Sequence, residues 1–241
     1  MTRAATANTA PAESDLLCEG CGYTLNGLSE TGNCPECGKP IRESLADHRR
    51  PPTWETAPGA AAFVATTAHV IFRPTDFYRH LQTRGNDAPA RSFALLHWSL
   101  AALLFGIASH THLAYLSGLL PGSAHWTDGW GWIPLAVAAL AVIYVSTRLA
   151  GRLTVWEAAY RGLRLPSEAV RRGMYYHAPH YLPVAALVLA TIAGYYYVHW
   201  FRTSAYFITY LYVLSAEVVV AAGYLFYTYW IGMRNMMYAN K

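Results

Sequence analysis

Four long apolar stretches dominate the chain beyond residue 90. No Asp, Glu, Lys or Arg occurs from Ser92 to Thr127, and similar runs return further on. Each approaches the roughly 20 apolar residues needed to cross a bilayer core. The pattern therefore predicts four transmembrane helices, over about 93–113, 130–147, 180–201 and 205–230. Pro134 and Pro183 fall in the first turns of the second and third spans, where a missing N–H costs little. Ahead of them, residues 60–72 are apolar but short and rich in Ala and Thr, too weak for a good span. In the next stretch Thr75 is a candidate N-cap, with Phe77, Tyr78 and Leu81 on one face. It reads as a short amphipathic helix on the membrane surface, with Arg73, Arg79, Arg84 and Arg91 toward anionic headgroups. An ordinary connector is the alternative.

The first 91 residues are polar by comparison. Residues 1–15 show no periodicity and are expected to be a disordered tail. Residues 42–60, with Arg49-Arg50-Pro51-Pro52 and Ala57-Pro58-Gly59, read as a Pro-rich linker. The expected organisation is thus a tail (1–15), a cysteine-bearing module (16–41), the linker (42–60), an amphipathic or interfacial segment (61–91) and a membrane domain (92–241) containing a polar loop at 148–173.

Charge sharpens this reading. Of 241 residues only 13% are charged and 54% are hydrophobic, against about 25% charged in an average soluble domain. The net charge of +4 is mild and gives no reason to expect nucleic acid. Its distribution matters more. The segment 114–129 has no Lys or Arg, whereas Arg148, Arg152, Arg161, Arg164, Arg171 and Arg172 crowd the next loop. The excess of basic residues predicts a multi-pass protein of the cell membrane, with its N-terminus, the 148–173 loop and its C-terminus in the cytoplasm. Had 56–72 spanned, the cysteines would lie outside. Trp126, Trp130 and Trp132, then Tyr195, Tyr196, Tyr197, Trp200 and Tyr206, then Tyr227, Tyr229, Trp230 and Tyr238, are placed as aromatic belts at headgroup level.

All four cysteines fall in two matched pairs, Cys18-Glu-Gly-Cys21 and Cys34-Pro-Glu-Cys37, each followed by glycine. Four thiolates at this spacing suit a closed tetrahedral zinc site, and Gly22 and Gly38 suit the tight turns. Met1 to Asp15 carries no apolar secretory signal, so reduced thiols are expected. Tyr23-Thr24-Leu25 followed by Asn26-Gly27 reads as a short strand entering a hairpin turn. The fold expected is a small β zinc ribbon followed by an all-α integral membrane domain of four transmembrane helices. Cys18, Cys21, Cys34 and Cys37 are its metal ligands; rubredoxin-like iron and a dithiol redox centre are the other readings.

Within the spans, Glu217 is the one formal charge, costly unless it is neutral or paired. Ser99, Ser146 and Thr191 are candidate partners. His97, His177 and His180 form one layer by depth, and His110, His112, His125 and His199 another. Such layers are one way to hold b-type haem, between His97 and His177 or His180, or between His110 or His112 and His199. Histidines resting at an interface are the plainer reading. No H-E-x-x-H, phosphate loop or nucleophile elbow is present.

The run Cys18-x-x-Cys21-Gly22-Tyr23-x-Leu25-x-Gly27-Leu28 with Cys34-Pro35-Glu36-Cys37-Gly38 resembles the N-terminal zinc ribbon of many bacterial membrane and regulatory proteins. The resemblance implies a structural metal module that contacts a partner, with the four cysteines as ligands. Phe72-Arg73-Pro74-Thr75-Asp76-Phe77-Tyr78 is similar to the segment preceding the first span of bacterial Yip1-like multi-pass proteins. That likeness implies membrane organisation rather than catalysis. The expectation is a non-enzymatic membrane protein whose zinc ribbon recruits or senses a protein partner. A haem-bearing redox protein and a small proton-coupled transporter using Glu217 are the alternatives.

Overall fold

The structure is a computed structural model. It describes residues 12, 14–45, 48–119, 129–201 and 207–240, with side chains left aside at 118–119 and 199–201. Most of the expected tail, together with His125, Trp126 and Tyr206 and the side chains of His199 and Trp200, lies outside the described residues.

Eight α-helices follow one another among the described residues: α1 (Thr53–Thr56), α2 (Ala60–Phe72), α3 (Pro74–His80), α4 (Ala88–Leu119), α5 (Trp132–Tyr160), α6 (Ser167–His177), α7 (Tyr181–Phe201) and α8 (Phe207–Met236). Four helical stretches are long and apolar enough to cross a membrane: α4, α5, α6 continuing into α7, and α8. At 13 residues α2 is too short for that. Its N-cap region is Pro58-Gly59, and Pro74 starts α3, so the two helices are punctuated where the chain cannot continue a helix.

The chain divides into two compact units. The first gathers residues 1–91, 148–177 and 229–241. Its centre is a buried charge network. Arg172 on α6 is 1% exposed and donates to both carboxylate oxygens of Glu55, to the Gln82 carbonyl at 2.6 Å and to the Asn86 carbonyl at 3.0 Å. The Tyr176 hydroxyl donates to the same Glu55, and Arg171 pairs with Asp87. Every strong donor in this knot has an acceptor, the condition for burying a guanidinium without a large penalty. Gly173 lies against Met236 and Met233, where a Cβ would come within 2.1 Å of the Met236 terminal methyl.

The second unit gathers residues 92–147 and 178–228. Gly106 of α4 lets α5 approach so closely that a Cβ there would lie 2.6 Å from the Ala136 Cβ and 2.7 Å from its amide nitrogen. Gly194 and Gly223 have nothing within 4 Å of an added Cβ. Tyr210, Tyr115, Ile192 and Ala108 make a buried cluster with Tyr195 and Leu214 packed around it.

The cysteine module is not a β ribbon. Among the described residues there is no strand; the module itself holds the isolated bridges Leu17↔Thr24 and Asn33↔Pro40, and a third, Arg50↔Leu81, lies beyond it. Each bridge is a pinch at a knuckle: Cys18 N–H to the Tyr23 carbonyl (2.8 Å) with Leu25 N–H to that of Leu16 (2.7 Å), and Cys34 N–H to the Lys39 carbonyl (2.8 Å) with Ile41 N–H to that of Gly32 (3.0 Å). The limbs are too short for a ladder. Left-handed turns at Gly22, Gly27 and Gly38 (φ +81°, +80° and +72°) redirect the chain before a second pair can form. Asn26-Gly27 makes a local turn, closed by the Leu28 amide on the Leu25 carbonyl at 3.0 Å, but not the expected hairpin: Thr24 bridges back to Leu17, and Tyr23-Thr24-Leu25 forms no strand.

Candidate metal centre

Each knuckle folds its cysteine pair in the same way. The Gly22 amide donates back to the Cys18 carbonyl (2.7 Å) and the Gly38 amide to the Cys34 carbonyl (2.9 Å), closing a turn that points both sulfurs of a pair to one place. The four Sγ atoms lie within 4.8 Å of one another, with Cys18–Cys37 at 3.5 Å and Cys21–Cys34 at 3.7 Å. Zinc–sulfur bonds of about 2.3 Å in a tetrahedron put sulfurs about 3.8 Å apart, so the donor set fits one such ion. A disulfide needs about 2.05 Å, and all four thiols are free. Cys18 and Cys34 are buried while Cys21 and Cys37 face outward, which leaves a path for a metal to enter. Burial pushes the Cys34 thiol up, yet the amides of Cys37 and Glu36 and then the Cys21 thiol outweigh it and bring it down to about 7. Cys34 is thus the thiol of the four favoured as thiolate, the ligating form, while burial pushes the Cys21 thiol up to about 12. Among the described residues this is the group of His, Cys, Asp or Glu side chains that converges as a metal site.

The module closes on the far end of the described chain. Asn240 is buried and reads Leu17 on both backbone sides, accepting from its N–H (2.9 Å) and donating to its carbonyl (2.6 Å). It also donates to the Ser44 carbonyl (2.6 Å), and its own amide donates to Glu19 (3.0 Å). Glu19, inside the first knuckle, is held as well by a two-pronged bond from Arg49 at 2.9 Å each. Arg49 in turn donates to the Asn235 carbonyl at 3.0 Å. Arg164 donates to the carbonyls of Asp15 and Tyr238 and to Asn240 Oδ1 (2.6 Å). The Tyr238 ring covers Gly22, where a Cβ would sit 2.7 Å from the ring, so glycine is required by space as well as by φ. Tyr238 itself is in the left-handed region, at φ 65°. Spacing and periodicity do not assign Asn240, Arg164 or Arg49 to this module, and Tyr238, expected in an aromatic belt, packs its ring on Gly22 instead.

The other expected positions are distributed as follows. Of the three candidate partners of Glu217, Thr191 is the one used, its hydroxyl donating to Oε1. Ser146 instead bonds back to the Val142 carbonyl of its own helix, at 2.7 Å. His97 turns Nδ1 to the Phe93 carbonyl (2.8 Å), and His180 and His112 pair through Nδ1 with the hydroxyls of Tyr224 (2.8 Å) and Tyr210. Outside the spans, His69 and His80 flank Asp76 at 2.9 and 3.2 Å. The hydrogen bond from His69, and then the nearby charges, hold the Asp76 carboxyl below the usual range.

No family model, curated protein or solved structure matches the chain. The likenesses to bacterial zinc-ribbon proteins and to Yip1-like proteins therefore gain nothing from comparison. What sequence and structure together define is a chain with four helices able to span a membrane and a four-cysteine cluster able to hold a metal ion such as zinc.

Proposed function

We propose that this is a non-enzymatic multi-pass membrane protein in which zinc, held by Cys18, Cys21, Cys34 and Cys37, fastens the N-terminal module to the segment following α8. The module then presents a surface to a protein partner, with Tyr23 and Leu28 on it (each 40% exposed). The convergence of four sulfurs within 4.8 Å carries the reading. The ion would be structural, because four protein ligands leave no open position for a substrate. The cysteines, the 148–177 segment and residues 229–240 belong to one compact unit. Leu17 and Asn240 are bonded to each other, so an even number of crossings separates them, and four spans satisfy that parity. With Arg148, Arg152, Arg161 and Arg164 on the same side, the loop-charge rule puts that side in the cytoplasm, where thiols stay reduced. The short apolar α2, with Val64 and Phe72 exposed, lies along the membrane surface in this reading. The non-enzymatic role also agrees with what the Yip1-like segment at Phe72–Tyr78 implies.

Elemental analysis of the purified chain is expected to give one zinc per polypeptide, and Cys34→Ser to give none. Affinity capture through the N-terminal module should lose its partners in Cys34→Ser. Wild-type protein without metal, or a variant with the same partners, would overturn the reading.

A further inference from the structure

Three polar residues of α8 that pair with helices of its own unit fall at a strict spacing. Tyr210, Glu217 and Tyr224 are seven residues apart, two helical turns each, and so share one stripe about 21 Å long. Each has a polar partner on another helix of the same unit. Tyr210 pairs with His112 of α4, Glu217 accepts from Thr191 of α7, and Tyr224 pairs with His180 at the start of α7. The packing around Tyr210 is apolar, made by Ile192, Val188, Leu189 and Leu214. Tyr115 and Tyr195 close around Tyr210, with ring centroids at 5.0 and 5.1 Å. His180 is completely buried.

A seam built only to glue helices would satisfy its members. Glu217 is not satisfied: Oε1 takes the Thr191 hydroxyl, while Oε2 is buried with no hydrogen-bond partner among the described residues. An acceptor oxygen left open in an apolar wall is costly as an orphan and useful as a place for an exchangeable proton. Ionisable groups inside membrane spans that line up with histidines are the usual parts of proton relays.

We propose that the stripe His112–Tyr210–Glu217–Tyr224–His180 is a transmembrane proton path. The imidazoles accept and release protons at its two ends, and Glu217 Oε2 is the central carrier. The tyrosine hydroxyls and intervening waters bridge steps of about 10 Å along the helix. Each transfer moves one proton from donor to acceptor, and no bond to carbon or change of oxidation state is involved.

The full chain reconstituted in phosphatidylcholine vesicles with an internal pH dye provides the test. A potassium gradient with valinomycin drives proton entry. Wild-type vesicles are expected to acidify at least about fivefold faster than protein-free ones, Glu217→Gln to fall within about twofold of that baseline, and Glu217→Asp to recover part of the rate. Wild-type vesicles no faster than protein-free ones, or Glu217→Gln as fast as wild type, would overturn the proposal. If Glu217→Gln does not fold by circular dichroism, dicyclohexylcarbodiimide decides on the wild-type protein. The path requires a mass shift on the Glu217 peptide together with loss of flux; flux that persists in labelled protein, or an unlabelled Glu217, rules it out.

Discussion

Replacing Asn240 by alanine tests whether the metal centre and the end of α8 are one cooperative structure. The side chain makes four hydrogen bonds: two with Leu17, one to Ser44 and one from Arg164. Three are between neutral groups, worth about 1 kcal/mol net apiece, and the one from a guanidinium about 1.5–3. Their sum is about 5 kcal/mol. Alanine leaves the Leu17 amide and carbonyl buried without their partner, so little of that loss is recovered. Some water entry beside the C-terminal segment lowers the working figure to about 3 kcal/mol. If metal binds only to the closed module, this loss is felt in the metal affinity by linkage. A loss of 3 kcal/mol corresponds to about a hundredfold weaker zinc binding. Competition with a chromophoric chelator, on the detergent-solubilised full chain, measures it. Zinc affinities of wild type and Asn240→Ala that agree within about twofold would refute the coupling, even if the variant melted earlier.

Other outcomes follow from the packing. Gly106→Ala drives a methyl into the Ala136 backbone and is expected to destabilise by about 1–3 kcal/mol, whereas Gly194→Ala, with open space around it, should be neutral or slightly stabilising in thermal melts. Arg172→Met strands Glu55 in a buried site and is expected to cost about 3–5 kcal/mol; a shift in melting temperature below the error of the measurement would contradict the burial argument. Asp76 titrates low because His69 and His80 flank it. Its contribution is therefore present above the unfolded carboxyl value of about 3.9 and is lost as pH falls through the lower folded value. Both partners are largely exposed, so Asp76→Asn should cost under about 1 kcal/mol at pH 7, and the difference from wild type should vanish in acid melts.

Some of this architecture is legible in the sequence, for identifiable reasons. An apolar run near 20 residues has one economical physical meaning, so the four helices able to span a membrane are readable. Their ends are not: α5 continues to Tyr160 through Arg148 and Arg152, because a helix can carry arginines on an exposed face without breaking. The cysteine cluster is readable because spacing alone constrains it. The β ribbon was misjudged because Tyr23-Thr24-Leu25 has strand character, and whether a strand forms depends on the length of its neighbour. Thr191 could be short-listed for Glu217 but not chosen. The seven-residue rhythm of Tyr210, Glu217 and Tyr224 was present in the sequence, masked by the many other tyrosines of α8. Arg49 and Asn240 gave no local sign of burial, since their partners lie 30 and 223 positions away.

That last separation bears on how the protein is made. Leu17 leaves the ribosome 223 residues before the Asn240 that completes its surroundings. During most of synthesis the cysteines are therefore on a nascent chain with an unfinished scaffold, open to whatever thiol chemistry surrounds them. In the proposed four-span topology, completion would wait until the last span had been inserted and its end returned to the starting side. In that topology a chain with its final helix inverted could not make the contact. Closure of the small module would then act as proofreading of membrane insertion, distinguishing correctly threaded chains from misthreaded ones before either is put to use.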